Sequence, residues 1–535
     1  MPRAFAARLA VLGGIALAPS VGFAQMQHDG NPHSGTPPAA LGEVHFPVNC
    51  SAEAQAAFDG GMRLQHSFWY QAAGKEFREV RRHDPGCTMA HWGEALSMLT
   101  NPYSPPTQAN LRQGRLLLEE ARSLGARSER ESAYVEALSI VFAGDDLAQH
   151  RARLGAYREA MESLTVRFPD DTEAAIHYAL VLGVTASPTD KSYADQLRGA
   201  AILEREWERQ PNHPGVVHYL IHLYDYPPLA DRGVRAAERY SELAADAPHA
   251  LHMPSHIFTR VGRWDASVVA NQRAAARAVE TGEPDGEFHA LDYMVYAYLQ
   301  TGQYEAAQQA IAGAGRATGQ TRNVHAFASA AMPARYALER GAWAEAATLK
   351  PLQSAFPYAE ALTHFARAIG FARSGHPEEA ASDIEALRRY AADLKGRDAY
   401  WAEQVDIQRQ TAEGWVEFAA GRQEDGLVTL RAAAERQGRT EKHVVTPGPL
   451  APARELLAEA LLEAGQPAPA LREFEAVQQT EPRRFRSVYG AGRAAELAGD
   501  RDGARRHYTQ LLAIAPRADS PQPELDRART FVAQH

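Results

Sequence analysis

The sequence predicts an all-α protein, an α-solenoid in which helical hairpins stack one after another. Three observations lead to this fold class. Ala is abundant while Val and Ile are sparse, aromatic residues make up only 8% of the 535 residues, and turn-like glycines recur along the chain. The first two favour helices over sheets. The third is typical of a repeat made of two helices, which buries its apolar face only against its neighbours.

The C-terminal units show the repeat most clearly. Each has a glycine, a small residue, an aromatic residue and a proline in the same order, as Gly465, Ala470, Phe474 and Pro482 and again as Gly499, Ala504, Tyr508 and Pro516. The segment around Phe68 follows the order too, with Gly61 before it and Phe77 after it. Small residues let two helices approach closely, the aromatic fills the remaining space, and the glycine ends the first helix. Further turns are expected at glycines 262, 302, 341, 375 and 421.

This order resembles the tetratricopeptide repeat. The stretches "HFPVNC", "HSFWY", "HYLIHLYD" and "HALHMPSHIF", all between residues 45 and 264, are also similar to a family of exported bacterial tetratricopeptide-repeat proteins. The resemblance implies a helical-repeat fold, export from the cytoplasm and a concave groove that binds ligands. The family has no settled activity, so the resemblance implies no catalytic residues.

The N-terminus predicts export. Two arginines precede a short apolar run, and small residues follow at Gly22 and Ala24, as in a signal peptide cleaved after residue 24. Residues 25–44, rich in Pro, Gly and His, are expected to form a flexible leader. Residues 45–300 then form a tetratricopeptide-like region with a histidine-lined groove, and residues 301–535 a C-terminal array. The mature chain is expected to be periplasmic or secreted.

The two cysteines, Cys50 and Cys87, are a candidate disulfide pair, since an even number of cysteines in an exported chain often pairs. Two buried free thiols are the alternative. The net charge of −10 and the lack of a basic stripe argue against a nucleic-acid partner. No long apolar run follows the signal segment, so no membrane span is expected in the mature chain.

The most specific feature is a ladder of histidines. His218 and His222 are four residues apart, as are His252 and His256, and the two pairs are separated by 34 residues. Residues four apart share one face of a helix, so both pairs are expected to face the same groove. The stretch around Gly302 places two further residues, Asp292 and Tyr296, at the equivalent positions of the following repeat. His249 and His289 are expected to lie beside them.

Three interpretations of the ladder stay open at this point. His218, His222, His252 and His256 would suit a metal ion such as Zn, Cu or Ni, with Asp225 or Asp292 orienting a ligand. The same column, with its neighbours His249, His289, Asp292 and Tyr296, would also suit a peptide or protein held in the concave groove. Buried histidines with a purely structural role are the third possibility. A groove that binds a peptide or protein is the preferred function, and a metal-binding protein, with or without catalysis, is the alternative.

Pro254 interrupts the ladder. Either a helix begins at Pro248 and is kinked at Pro254, or it begins near Pro254 and leaves His249 and His252 in a loop. No "HExxH", "GxSxG" or P-loop motif is present, and no general base is identifiable. The sequence therefore favours a binding protein over an enzyme, and a metal-bound water is the remaining catalytic route.

Overall fold

A computed structural model describes residues 40–314 and 323–535. Within these two ranges the secondary structure consists of helices, most of them packed in consecutive hairpins, and no β-strand is present. The prediction of an all-α, solenoid-like fold is confirmed. No helix in these ranges is both long enough and apolar enough to cross a membrane.

Fourteen α-helices precede residue 301 in the described part of the chain. They are α1 (Ala52–His66), α2 (Tyr70–His83), α3 (Thr88–Met98), α4 (Gln108–Leu124), α5 (Glu129–Val141), α6 (His150–Arg167), α7 (Thr172–Thr185), α8 (Ala194–Arg209), α9 (Pro214–Tyr224), α10 (Ala230–Leu243), α11 (Pro248–His252), α12 (Pro254–Arg260), α13 (Trp264–Thr281) and α14 (Pro284–Gln300).

The second half continues the same pattern. Its helices are α15 (Tyr304–Ala314), α16 (Asn323–Glu339), α17 (Trp343–Ala347), α18 (Pro357–Arg373), α19 (Ala381–Leu394), α20 (Ala399–Ala419), α21 (Gln423–Gly438), α22 (Ala453–Glu463), α23 (Pro467–Thr480), α24 (Phe485–Leu497), α25 (Arg501–Ile514) and α26 (Pro523–Gln534). Short 3-10 turns lie at Leu147–Gln149 and Pro377–Ala380.

The hairpins pack as the repeat pattern predicts. A Cβ atom added to Gly61 would lie 2.6 Å from the ring of Phe77, and one added to Gly492 would lie 2.7 Å from that of Tyr508. An alanine at either place would therefore push the two helices apart. The seven glycines expected to end helices all have φ between 65° and 89°, and they are Gly262, Gly302, Gly341, Gly375, Gly421, Gly465 and Gly499. That conformation is costly for other residues.

The C-terminal helices return to the middle of the chain. Trp264 donates its indole N–H to the carbonyl of Arg483 at 2.9 Å, and the Gln522 amide donates to the carbonyl of Gly302 at 2.6 Å. Side chains of α13 and α14 share one apolar core with those of α24, α25 and α26. The division expected between residues 300 and 301 therefore falls inside a packed core, because the array folds back on itself.

The beginning of the described chain is packed. The predicted signal peptide, residues 1–24, and residues 25–39 of the predicted leader lie outside the described residues. Residues 40–44, the end of that leader, are anchored instead of flexible: Leu41 is 2% exposed, and the Ala40 amide donates to Asp246 at 2.9 Å. The predicted leader thus extends too far, because Leu41 and Val44 supply apolar surface to the core. Cys50 and Cys87, the candidate pair, form a disulfide.

Candidate metal centre

Six of the predicted histidines lie together in the interior, in two groups of three. The first triad is His218, His222 and His249, and the second triad is His252, His256 and His289. Within each triad, one nitrogen from every ring lies within 4.8 Å of the other two. Helix α9 and the start of α11 supply the first triad, and α11, α12 and α14 supply the second.

This grouping differs from a single site built on two histidine pairs. The rings of His222 and His256 are 6.0 Å apart, centre to centre, and each pair gains its own third member. The five-residue helix α11 explains the difference, since it gives His249 to one triad and His252 to the other. The 34-residue register identifies the pairs but contains no information about this division.

Pro254 marks a kink within an otherwise continuous helical path. Met253, between α11 and α12, keeps helical dihedral angles (φ −53°, ψ −37°), and its amide donates to the His249 carbonyl at 3.0 Å. The kinked-helix alternative is therefore the one observed. Because the path stays helical, His252 and His256 remain on one face, and their Nε2 atoms are 3.0 Å apart.

Two of the three rings of the second triad, those of His252 and His256, have their protons fixed by their surroundings. His256 Nδ1 lies 2.9 Å from a carboxylate oxygen of Asp225, which only accepts, so this nitrogen carries the proton. His252 Nδ1 lies 2.7 Å from Asn271 Oδ1. The amide nitrogen of Asn271 donates to the carbonyl of Ser267 at 2.8 Å, which fixes Oδ1 as an acceptor and places a proton on His252 Nδ1 as well.

Two bare nitrogens therefore face each other at the centre of the second triad. A neutral imidazole has one N–H, and both rings use it at Nδ1, so neither Nε2 can donate to the other across the 3.0 Å gap. Two unshielded lone pairs at this distance repel one another. A cation between them, bound by both nitrogens, converts the repulsion into attraction.

The first triad is less constrained. His218 Nδ1 donates to the carbonyl of His66 at 2.6 Å, so its Nε2 is a free acceptor facing His222 Nε2 at 3.2 Å. His222 Nδ1 and His249 Nε2 are buried and have no hydrogen-bond partner among the described residues. His222 can place its proton on either nitrogen, so this triad accepts a metal without requiring one.

The six imidazoles are held neutral. Burial lowers the pKa of each below the ordinary value for histidine, and for five of them an adjacent imidazole is the next largest cause. For His256, burial lowers the pKa most, while Asp225 partly opposes it. Neutral rings keep their lone pairs available, which a metal ligand requires.

Asp225 connects the second triad to two buried cations. One of its oxygens receives the Arg260 Nε–H at 2.8 Å, and the other receives Lys442 at 2.8 Å together with His256. Burial alone would raise the pKa of Asp225, but Lys442, Arg260 and His256 together hold it well below its usual range. This carboxylate is ionised and engaged on both oxygens, and its contact with His256 Nδ1 leaves His256 Nε2 facing His252.

Lys442 belongs to a segment that is far from the histidines in the sequence. Residues 440–449, in the loop between α21 and α22, reach the histidines: the hydroxyl of Tyr293, whose ring is 4.8 Å from those of His252 and His256, donates to the carbonyl of Thr446 at 3.0 Å. Lys442 is buried against Asp225. A part of the chain itself thus covers the surface where the sequence suggested a peptide groove.

Aromatic rings enclose the first triad. Phe68 lies 4.3 Å from His218 and 5.2 Å from His249, centre to centre, and Tyr103 lies 4.6 Å from His222. Phe68 has φ 55°, a conformation that is costly for a side chain of this size and that places its ring against the imidazoles. The motif "HSFWY" therefore contributes a wall of the site.

A second buried histidine group adjoins the first triad. We call it the Glu173 cluster: Glu173 receives His66 Nε2–H at 3.0 Å and His213 Nε2–H at 2.8 Å. The remaining nitrogens accept, His66 Nδ1 from the Tyr219 hydroxyl at 2.9 Å and His213 Nδ1 from the Val216 amide at 3.4 Å. These three residues are close enough for a metal, but every polar atom already has a partner of the opposite role.

Two predicted neighbours have other partners. Asp292 is buried 3.5 Å from Arg335, and burial, opposed by Arg335, raises its pKa to about 6. The hydroxyl of Tyr296 accepts from Arg484 at 3.2 Å. The structure brings His249 and His289 to the triads but directs Asp292 and Tyr296 to an arginine-rich part of the core. Of the two aspartates suggested as orienting residues, Asp225 contacts a triad histidine.

Several residues of the site were not found by sequence reasoning. Asn271, Lys442 and the carbonyl of His66 come from three separate segments, and no spacing rule relates them to the histidines. One signal was available. The loop "EKHVVTPGP" at 441–449 interrupts the repeats with a lysine and a histidine, which is unusual for a simple connection.

Comparison with known proteins gives structural likenesses only. No family model matches the chain, and no curated protein matches its sequence. Among solved structures, yeast Tom70 matches at 10% identity over 90% of this chain and 95% of its own, with a TM-score of 0.29. Human IFIT1 with m7Gppp-AAAA matches at 12% over 88% and 91%, with a TM-score of 0.38. The Cut9–Hcn1 assembly of APC/C matches at 12% over 90% and 96%, with a TM-score of 0.30.

Proposed function

We propose that this protein binds metal ions at the two histidine triads. The observation that carries the proposal is the pair of Nε2 atoms of His252 and His256, 3.0 Å apart, on rings whose N–H groups both point away, toward Asn271 and Asp225. A ligand pair that shares one metal has its donor atoms at about this separation, since Zn–N distances are about 2.0–2.1 Å.

The donor set indicates which metals fit. All three donors of each triad are imidazole nitrogens, and neither triad contains a carboxylate oxygen or a thiolate sulfur. Imidazole suits zinc, copper and nickel, while magnesium, calcium and manganese prefer oxygen ligands. Of the three metals expected from the sequence, we favour copper and zinc, because three nitrogens and an open position match their usual coordination.

A proton is the competing occupant. One proton shared between His252 Nε2 and His256 Nε2 would also relieve the repulsion, but it would make one ring cationic. That charge would lie in the interior next to Asp225, which already binds Lys442 and Arg260. A further cation beside this carboxylate is unfavourable in a buried site; a metal ion meets the same cost but offsets it by coordination to three nitrogens, whereas a proton is shared by two at most.

A groove for a peptide or protein partner is the other function expected from the sequence. Six of the eight residues named for it are buried, with His218 and Asp292 fully so and His222 6% exposed, while His249 and His289 are partly exposed. Residues 440–449 also contact Asp225 and Tyr293, which adjoin the second triad. A binding or assembly role therefore stays a proposal for other surfaces of the solenoid. Export, to the periplasm or outside the cell, is likewise proposed, and the disulfide supports it.

The test is the metal content of the full chain, purified without a histidine tag and without chelator. We expect copper or zinc in stoichiometric amount. His252→Asn keeps a donor toward Asn271 but removes the facing nitrogen, so it should lose the metal of the second triad. His364→Asn is the matched control, since His364 Nδ1 likewise lies against a side-chain oxygen, that of Asp383, but the ring lies outside the triads. A chain that binds no metal even after incubation with both ions would refute the proposal.

A further inference from the structure

The two triads lie side by side. The rings of His222 and His256 are 6.0 Å apart, and those of His249 and His252 are 6.1 Å apart, centre to centre. His249 and His252 are three residues apart on α11, so one helix supplies both groups. Ions bound in the two triads would therefore lie close to each other.

Each triad is also coordinatively incomplete. Three nitrogens leave a position open on a four-coordinate metal. The nearby carboxylate that might fill it, Asp225, is engaged on both oxygens by Arg260, Lys442 and His256. The Tyr293 hydroxyl is bound to the carbonyl of Thr446. Phe68 presents only its ring. None of these three neighbours is therefore available as a fourth ligand.

The charges around the triads indicate whether that ligand is an anion or a neutral molecule. The six imidazoles are neutral donors, and the one carboxylate that contacts them, Asp225, is already paired with Lys442 and Arg260, on which Glu441 and Glu481 also act. Two metal ions add further positive charge in a buried place. An anion in contact with both ions reduces this cost more than any neutral ligand does.

We infer that the two triads form one dinuclear centre whose open positions are shared by a single small anion, of the size of hydroxide or azide. The inference rests on the proposed metal binding. The packed rings of Phe68, Tyr103 and Tyr293 around the histidines favour an anion of one to three atoms over any larger ligand. The anion adds by coordination alone, and no electron or proton transfer within the protein is required.

Copper(II) provides the test, because two such ions joined by one bridging ligand couple their spins and lose their electron paramagnetic resonance signal. We expect the copper-loaded full chain to hold two ions and to show a signal far smaller than its copper content. Azide should bind once for every two coppers. His218→Asn, which keeps a donor toward the His66 carbonyl, should hold one copper with its full signal.

The outcomes separate the two proposals. Two coppers per chain, each with a full signal and each binding its own azide, would overturn the dinuclear inference and leave metal binding intact. One copper per chain in the unaltered protein would overturn it as well. No bound copper or zinc at all would overturn the proposed function itself. The His364→Asn variant should behave as the unaltered chain does throughout.

Discussion

The Glu173 cluster and the second triad are both buried groups of histidines, yet they differ in one respect. In the Glu173 cluster a carboxylate stands between two imidazoles, and each N–H meets an acceptor and each lone pair a donor. In the second triad the central contact joins two acceptors, His252 Nε2 and His256 Nε2. The difference teaches that the balance of donors and acceptors, and not the number of histidines, distinguishes a structural cluster from a metal site.

The largest effect is expected from removing the carboxylate of the Glu173 cluster. Glu173→Gln takes the negative charge from between His66 and His213 and leaves buried N–H groups without a full acceptor. We expect the free energy of unfolding to fall by about 3 kcal/mol, the order of magnitude for breaking a buried pair. Chemical denaturation of the metal-free chain measures this, while the metal content of the second triad should remain.

The control for that variant is Glu162→Gln, which removes an exposed carboxylate paired with Arg198. Little change is expected, since exposed pairs contribute little. If Glu173→Gln were as stable as this control, the Glu173 cluster would not have the structural role assigned to it.

Metal removal should affect the second triad and not the Glu173 cluster. A ligand that binds only the folded state stabilises it by about 2.7 kcal/mol when its free concentration is 100 times Kd. Adding a chelator should therefore lower the Tm of the unaltered chain. His252→Asn should start nearer the lower Tm and respond less, and Glu173→Gln should still respond. Equal responses in the unaltered chain and in His252→Asn would contradict a metal at the second triad.

The orientation of His252 can be weakened without touching a ligand. Asn271→Leu removes the acceptor of His252 Nδ1 while keeping similar volume. Loss of such a partner typically reduces metal affinity about 10–100-fold, and a competition assay with a chromophoric chelator measures it. The adjacent Gln272→Leu, which loses only a bond with Tyr298, should keep the original affinity. Unchanged affinity in Asn271→Leu would mean that the Asn271 contact does not fix the ring.

The remaining expected effect concerns pH. Burial, together with the neighbouring His66, lowers the pKa of His177, beside the Glu173 cluster, to about 3 from 6.5. Below pH 6.5, therefore, His177 is protonated in the unfolded chain but stays neutral in the folded chain. Stability falls as the pH drops from 6.5 toward 3, by at most about 1.4 kcal/mol per pH unit, and this contribution does not vary above pH 6.5.

His177→Asn should therefore flatten the decline in unfolding free energy of the metal-free chain between pH 7 and pH 5. Replacing the exposed His376 by Asn serves as the comparison and should leave the slope as it is. Parallel slopes in the two variants would show that His177 does not stay neutral in the fold.

The sequence predicts the local parts of this molecule well. The glycines that end helices, the packing of Phe77 on Gly61 and the facing of His252 and His256 depend on residues close in the chain. Periodicity reports such relations directly. Of the eight residues that were expected at a ligand site, the six histidines lie in the two triads, and their role there stays a prediction.

The rest depends on contacts that periodicity does not encode. The two triads divide at α11, a five-residue helix that carries one histidine of each. The partners of the rings arrive from distant segments, as Lys442 does across 217 residues. Asp292 and Tyr296 occupy the expected register, but α14 packs against α16 and α24, so Arg335 and Arg484 engage them instead.

The central claim is that a metal ion lies between His252 and His256. Anomalous diffraction from crystals of the untagged full chain, measured at the absorption edges of copper and zinc, tests it most directly. We expect a peak within about 2.0–2.1 Å of both Nε2 atoms, and its loss in His252→Asn but not in His364→Asn. Crystals of metal-supplemented protein with no peak there, and with the two nitrogens still 3.0 Å apart, would contradict the claim and indicate a shared proton.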